Sequence, residues 1–142
     1  MSSLPTPESA LCRLYGVSVL LIEDVEDTRE ASRVMLEQLG ARVEVAADGR
    51  KALDIIARAS PSVILCDLRM PGMDGFELMR RLRWTHLTQA PVIAVSGLSS
   101  ATDREMTRRA GFHAHLSKPF DYPALLAAIS SAMGGTASPP TA

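Results

Sequence analysis

Short apolar runs alternate with amphipathic stretches along most of the chain. The runs predict five strands, at Val17–Ile22, Arg42–Ala46, Val63–Cys66, Val92–Val95 and Ala114–Leu116. The first, third and fourth runs are almost wholly apolar, which is expected for strands covered on both faces. The fifth has weak strand propensity, and its assignment depends on its place in the alternation. The whole pattern predicts a parallel sheet with helices on both sides.

The stretches between and after the strands carry apolar residues at helical spacing. Gly40 is expected to end the first helix, Ser99 or Ser100 to cap the fourth, and Asp121 to cap the fifth. The predicted apolar stripes are Ala31, Val34, Met35 and Leu39; Ala52, Ile55, Ile56 and Ala59; Phe76, Met79, Leu82 and Arg83; and Leu125, Ile129 and Met133.

Composition favours one domain without a nucleic-acid or membrane partner. The chain has 142 residues, a net charge of −1 and 4% aromatic residues, so neither bulk attraction to phosphates nor base stacking is indicated. No apolar run approaches the length of a membrane span, and no signal peptide is apparent. Cys12 and Cys66 have no metal or redox spacing, which suits a cytoplasmic location. We expect tails at residues 1–15 and 134–142 around one domain at 16–133.

Polar residues follow four of the five predicted strands. Glu23 and Asp24 follow the first strand, Asp67 the third, Ser96 the fourth and Lys118 the fifth. In parallel sheets of this kind, ligands bind outside the carboxyl ends of the strands, so these side chains are expected to converge. Each one alone is better explained as a solvated strand end, but the five together predict a functional site.

The chemistry of this set suits phosphoryl transfer. Three carboxylates favour a hard divalent cation such as Mg²⁺, or Mn²⁺ in its place, which lets Asp67 stay ionised as a nucleophile. Ser96 can donate a hydrogen bond and Lys118 carries a compact positive charge, and both groups can neutralise phosphate oxygens. A salt bridge from Lys118 to Asp67 with no further role is the plainer interpretation, and it is compatible with phosphate binding.

Over about Gly16 to Met133 the chain resembles the receiver domain of two-component response regulators. The resemblance implies a flavodoxin-like, doubly wound (βα)5 fold whose five-stranded parallel sheet has the strand order 2-1-3-4-5. The matching motifs are the acidic pair Glu23-Asp24, the segment Cys66-Asp67-Leu68-Arg69-Met70-Pro71-Gly72-Met73-Asp74-Gly75, Ser96-Gly97, and Lys118-Pro119.

The resemblance implies that Asp67 accepts a phosphoryl group from a phosphohistidine on a histidine kinase or a histidine phosphotransfer protein. The carboxylates of Asp24 and Asp67 and the backbone carbonyl of Arg69 would then bind Mg²⁺, and Glu23 would act on it largely through water. Ser96 and Lys118 would bind phosphoryl oxygens. The same resemblance implies a cis peptide bond between Lys118 and the proline after it, which is otherwise a minority state.

One position departs from the family pattern. An aromatic residue often precedes the lysine and couples to the hydroxyl as a switch, but His115 stands there. Either His115 is a strand residue without a signalling role, or its imidazole replaces the phenol and joins Ser96 as the switch, with possible pH sensitivity. The resemblance further implies a protein that is not an enzyme, acts as a monomer or weak dimer, and passes the signal to an unknown downstream protein.

Other functions fit the residues less well. A haloacid-dehalogenase-type phosphatase needs a second aspartate where Arg69 stands, and a nucleotide-binding domain needs a glycine-rich loop after the first strand. A pseudo-receiver that acts only as a protein scaffold is the remaining alternative. We expect no DNA-binding unit after Met133, which leaves a stand-alone regulator or a part of a hybrid histidine kinase. The basic segment Arg80–Trp84 is interpreted as a solvated helix end in preference to a docking site.

Overall fold

Five parallel strands form one sheet in the computed structural model, which describes residues 13–97 and 101–134. In the described residues the order of the strands is β2-β1-β3-β4-β5. The expected doubly wound fold and its 2-1-3-4-5 order are therefore confirmed. The strands are β1 (Ser18–Ile22), β2 (Arg42–Ala46), β3 (Val63–Asp67), β4 (Val92–Ser96) and β5 (Ala114–Ser117).

Helices alternate with these strands, as the hydrophobic pattern predicts. Two hydrophobic cores lie on the two faces of the sheet, one beneath the second and third helices and the other beneath the first and fifth. No helix in the described ranges is long and apolar enough to cross a membrane. The helices are α1 (Glu26–Gln38), α2 (Gly49–Arg58), α3 (Gly75–Thr85), α4 (Ala101–Ala110) and α5 (Tyr122–Ala132).

The apolar strands supply both cores at once, because alternate side chains point to opposite faces. In β3, Ile64 and Cys66 join the core on the α2–α3 side, whereas Val63 and Leu65 join the core on the α1–α5 side. All four side chains are fully buried. The continuous apolar run in the sequence is thus explained by a central strand with no solvent-facing side.

Side-chain caps fix the starts of three helices. The carboxylates of Asp48, Asp74 and Asp121 each accept a hydrogen bond from a backbone N–H three residues later, at 2.8–2.9 Å. The predicted cap at Asp121 is confirmed. Gly40 lies just after α1 with φ +97°, as expected of a glycine that ends a helix. The predicted caps Ser99 and Ser100 lie outside the described residues.

The predicted apolar stripe of α1 is wrong in part. Ala31 and Val34 are exposed, and the residues that α1 buries are Ser32 and Leu36, followed by Leu39 just after the helix. These positions have the spacing i, i+4 and i+7 of one helical face. Counting apolar residues misses this face, because the first residue of the face is the polar Ser32.

Candidate functional site

The carboxyl ends of β1 and β3 bring three acidic side chains together. Glu23 and Asp24 follow β1 directly, and Asp67 is the last residue of β3. One carboxylate oxygen from each residue lies within 4.8 Å of the other two. Glu23 and Asp67 are only 3% and 6% exposed, so their charges are poorly screened by water. Carboxylates this close repel each other unless a cation or a proton lies between them.

Lys118 supplies one such positive charge. Its Nζ lies 2.6 Å from Glu23 Oε1 and 3.3 Å from Asp67 Oδ2. Burial on its own would lower the pKa of Lys118, but the hydrogen bond to Glu23 and the charge of Asp67 outweigh it and hold the pKa above its usual value. The expected contact between Lys118 and Asp67 is present, and the shorter contact is to Glu23. One ammonium thus faces two buried carboxylates.

Arg29 in α1 fixes the backbone of the acidic pair. Its guanidinium donates to the carbonyl oxygen of Glu23 at 2.9 Å and to that of Asp24 at 3.4 Å. Glu23 Oε2 also accepts a hydrogen bond from the backbone N–H of Val25 at 3.1 Å. Sequence interpretation did not single out Arg29. Its position one turn into the helix after the acidic pair is the signal that could have found it.

Asp24 provides the test of whether the site suits a metal ion. Its Oδ1 atom is buried, and no hydrogen-bond partner for it exists in the described part of the chain. A buried carboxylate oxygen without a partner is costly. A hard cation ligated by oxygen would satisfy this atom and would neutralise the surplus negative charge, so the donor set fits Mg²⁺ or Mn²⁺. The nearby Arg69 donates its backbone N–H to Asp67 Oδ1 at 3.3 Å.

Ser96 and Lys118 are held at the same edge by the pairing of β4 with β5. Ser96 ends β4 and is buried, and its carbonyl accepts a hydrogen bond from the Lys118 N–H at 2.9 Å. Val95 pairs with Asp67 across the sheet, which places Ser96 one residue beyond that pair. The Lys118–Pro119 peptide bond is cis, as expected. The structure therefore brings all five polar residues that follow the strands to one edge of the sheet.

Gly75 packs directly against the backbone that carries Asp67. A Cβ atom built on Gly75 would lie 2.7 Å from the carbonyl oxygen of Asp67 and 2.9 Å from Leu68 Cα. The Gly75 N–H also donates to the Leu68 carbonyl at 3.1 Å. Only a residue without a side chain allows α3 to begin this close to the end of β3.

His115 lies half-buried on β5, three residues before Lys118. Neither ring nitrogen has a hydrogen-bond partner within residues 13–97 and 101–134, and the same holds for the nearby Ser117 hydroxyl. Burial lowers the pKa of His115 and the charge of Arg104 lowers it further, whereas Asp103 opposes the shift. The neutral imidazole is therefore the form that the fold favours.

This preference predicts a pH dependence of stability. Below about pH 6.5 the unfolded chain binds a proton on His115 before the folded protein does. Stability should therefore fall as the pH drops below about 6.5, until His115 is protonated in the fold as well. We expect urea unfolding at pH 7.5 and 5.0 to show a larger loss for the wild type than for His115→Phe. Equal losses in the two proteins would contradict the prediction, since the other titrating groups are shared.

Comparison with known proteins agrees with this geometry. The family model described as response regulator receiver domain matches residues 19–130, and the chain belongs to this family. An uncharacterized 14.6 kDa protein of Leptolyngbya boryana is 38% identical over 109 residues, which are 76% of this chain and 83% of that protein. The response regulator MprA of Mycolicibacterium vanbaalenii is 36% identical over 84% of this chain, which spans 52% of MprA.

A solved structure shows the same fold with a metal. The receiver domain of the sensor histidine kinase PA1611 from Pseudomonas aeruginosa is similar with a TM-score of 0.74 and 32% sequence identity, covering 84% of this chain and 98% of that one. A magnesium ion is coordinated in the active-site cleft of that domain. Members of the family are phosphoryl acceptors and not enzymes in the usual sense, so a dehalogenase-type phosphatase is not supported.

Proposed function

We propose that this chain accepts a phosphoryl group on Asp67 as a step in two-component or phosphorelay signalling. The donor is a phosphohistidine on a histidine kinase or a histidine phosphotransfer protein. The unit that acts is residues 16–133, with tails at 1–15 and 134–142. Loss of the phosphoryl group by hydrolysis on this same domain belongs to the proposal.

One observation carries this proposal. Glu23, Asp24 and Asp67 place carboxylate oxygens within 4.8 Å of one another, and among the described residues Lys118 is the one ammonium that contacts two of them. A site built only for stability gains little from a surplus of buried negative charge. A site that admits a cation together with a phosphoryl group makes use of it, because the metal and the phosphoryl oxygens complete the charge balance.

The residues then have distinct roles. Asp67 attacks phosphorus with a carboxylate oxygen; a new O–P bond forms, the N–P bond of the phosphohistidine breaks, and the imidazole nitrogen keeps the electron pair. Lys118 and Ser96 bind phosphoryl oxygens. Glu23, Asp24, Asp67 and the carbonyl of Arg69 would hold Mg²⁺, which would supply positive charge to neutralise the transferring group.

The output is a change in a protein-binding surface. The phosphoryl group draws the hydroxyl of Ser96 toward it, and His115 repacks into the space that this movement frees. Such a change is a population shift between two packed states. The half-buried imidazole without hydrogen-bond partners among the described residues supports this role, because no hydrogen bond of the ring to those residues has to break when it moves. The changed surface is recognised by a downstream partner protein. The chain itself acts as a monomer or weak dimer.

Incubation with a phosphodonor tests the proposal. We expect wild-type protein with Mg²⁺ and either acetyl phosphate or a phosphorylated histidine kinase to gain one phosphoryl group by intact mass. The gain should disappear in Asp67→Asn and on addition of a chelator. Asp54→Asn, which removes an exposed carboxylate from α2, is the matched control and should leave it unchanged. If neither kind of donor gives an adduct, the scaffold alternative is favoured.

A further inference from the structure

A second surface lies away from the acidic site, on the outer side of α2 and α3. Trp84 is 85% exposed there, and Leu87 is exposed as well. Together with Leu53, Arg80, Arg81 and Thr85 these residues line one groove, and its walls are almost wholly apolar. We call this set of six residues the Trp84 groove. Trp84 lies nine residues after Gly75, which is roughly 14 Å along the helix from the acidic site.

The groove is continuous with the hydrophobic core. Leu53 is half-buried and packs against the core beneath α2 and α3, so the floor of the groove is fixed. The stems of Arg80 and Arg81 form apolar walls while their guanidinium groups stay in water. A large indole on such a surface is unusual for a helix end that is only solvated, since tryptophan and arginine are the side chains that dominate binding energy at interfaces.

The rim of the groove is positively charged. Arg80 and Arg81 both pair with the single carboxylate of Glu77, so one positive charge is left over. Basic residues also outnumber acidic ones over the two helices as a whole, although Arg58 pairs with Glu44 and Arg83 donates to the Ala110 carbonyl, and neither lines the groove. The charged residues of α2 and α3 are six basic ones, Arg50, Lys51, Arg58, Arg80, Arg81 and Arg83, and two acidic ones, Asp54 and Glu77.

We infer that the Trp84 groove binds an acidic segment of a partner protein, which inserts a large apolar side chain next to the indole. The arginine rim complements carboxylates on that segment. A second copy of this chain fits less well, because a two-fold contact would place Arg80 and Arg81 against the same residues of the other copy. The inference does not depend on phosphorylation of Asp67.

Fluorescence of Trp84 reports directly on this groove, because it is the only tryptophan in the chain. The probe is a short synthetic peptide with glutamates around one phenylalanine, and the control peptide has lysine in place of each glutamate. We expect the acidic peptide to shift the emission to the blue and to shield Trp84 from acrylamide. The basic peptide should do neither, and added salt should weaken the binding of the acidic peptide.

Charge-reversal variants place the binding on the groove. Arg80→Glu together with Arg81→Glu should weaken the binding of the acidic peptide by about tenfold or more. The matched control is Arg108→Glu with Arg109→Glu on α4, where two exposed arginines pair with Glu105 at the same spacing. The affinity of this control for the acidic peptide should stay within about twofold of that of the wild type, and so should the affinity of Asp67→Asn. Trp84→Ala, followed by calorimetry, should lose binding by more than about tenfold.

Several results would overturn the inference. Equal binding of the acidic and basic peptides, or equal weakening by the two double variants, would show that no specific groove is involved. A dimer in sedimentation that disappears in Trp84→Ala would assign the groove to a second copy of this chain. Shielding of Trp84 by a single-stranded oligonucleotide, but not by the acidic peptide, would assign it to nucleic acid.

Discussion

Lys118→Ala is expected to destabilise the protein by about 2–4 kcal/mol at neutral pH in buffer with a chelator. The change removes the ammonium that contacts both Glu23 and Asp67, and it leaves two buried carboxylates close together. Breaking a buried pair from one side costs more than the pair itself contributes, because the remaining charge has no partner. Urea unfolding followed by circular dichroism measures the loss.

The control is built into the composition of the chain. Lys51 is the only other lysine, and it is exposed on α2, so Lys51→Ala makes the same chemical change outside the site. It should alter the free energy of unfolding by less than about 0.5 kcal/mol. Equal effects of the two substitutions would contradict the ion-pair explanation.

Mg²⁺ should stabilise the Lys118→Ala and Lys51→Ala variants to different extents. Without Lys118 the carboxylates of Glu23 and Asp67 lose the ammonium that competes with a cation, so a divalent cation should bind the folded variant more tightly than it binds the wild type. A ligand that binds only the folded state stabilises it by about 2.7 kcal/mol at a hundred times its dissociation constant. We therefore expect Mg²⁺ to raise the midpoint of unfolding more for Lys118→Ala than for Lys51→Ala. No difference between the two would show that Lys118 does not compete with the cation for the carboxylates.

The wild type should also lose stability at high pH, where Lys118 loses its charge. The contacts with Glu23 and Asp67 raise the pKa of Lys118 in the fold, even though burial opposes them. The stabilisation is therefore complete below the ordinary lysine pKa of about 10.4. It is lost as the pH rises through the higher pKa of the folded state.

The sequence predicts the sheet and the meeting of the polar residues for one physical reason. Carboxyl ends of parallel strands lie at one edge, so Asp67 and Ser96, which follow two apolar runs, must come close together. The cis bond at Lys118–Pro119 could not be predicted from local preference, which favours trans; it follows from the family resemblance alone. The sequence therefore predicts which strand end carries each residue, but it does not predict the contacts between their atoms.

The remaining features depend on packing that a hydrophobic pattern does not encode. Lys118 is expected to contact Asp67, but its shorter contact is to Glu23, and a pattern of strand ends does not distinguish between these two carboxylates. Trp84 belonged to a segment interpreted as a solvated helix end. Its groove arises from the neighbouring helix, through Leu53, and no local pattern on α3 contains that information.

Gly75→Ala is the other substitution for which we expect a large effect. Gly75 is the first residue of α3, and the added Cβ would lie 2.7 Å from the Asp67 carbonyl oxygen and 2.9 Å from Leu68 Cα. Both atoms belong to the backbone at the end of β3, which cannot give way without moving the helix or the strand. We expect a loss of about 2–3 kcal/mol in urea unfolding, which exceeds the small gain in helix propensity.

Gly49→Ala is the matched control for this prediction. Gly49 is also the first residue of a helix, and like Gly75 it follows an aspartate cap. Its added Cβ would lie 2.7 Å from the sulfur of Met73, which can rotate away, and 3.1 and 3.2 Å from Met73 Cγ and Cβ, which need to shift only slightly. We expect a change of less than about 1 kcal/mol. Because only Gly75→Ala displaces the backbone of Asp67, it alone should also slow phosphoryl uptake from acetyl phosphate at temperatures where both variants are folded. If both variants lose stability alike and take up phosphoryl groups at the same rate, contact with the backbone of Asp67 is not the reason that α3 begins with glycine.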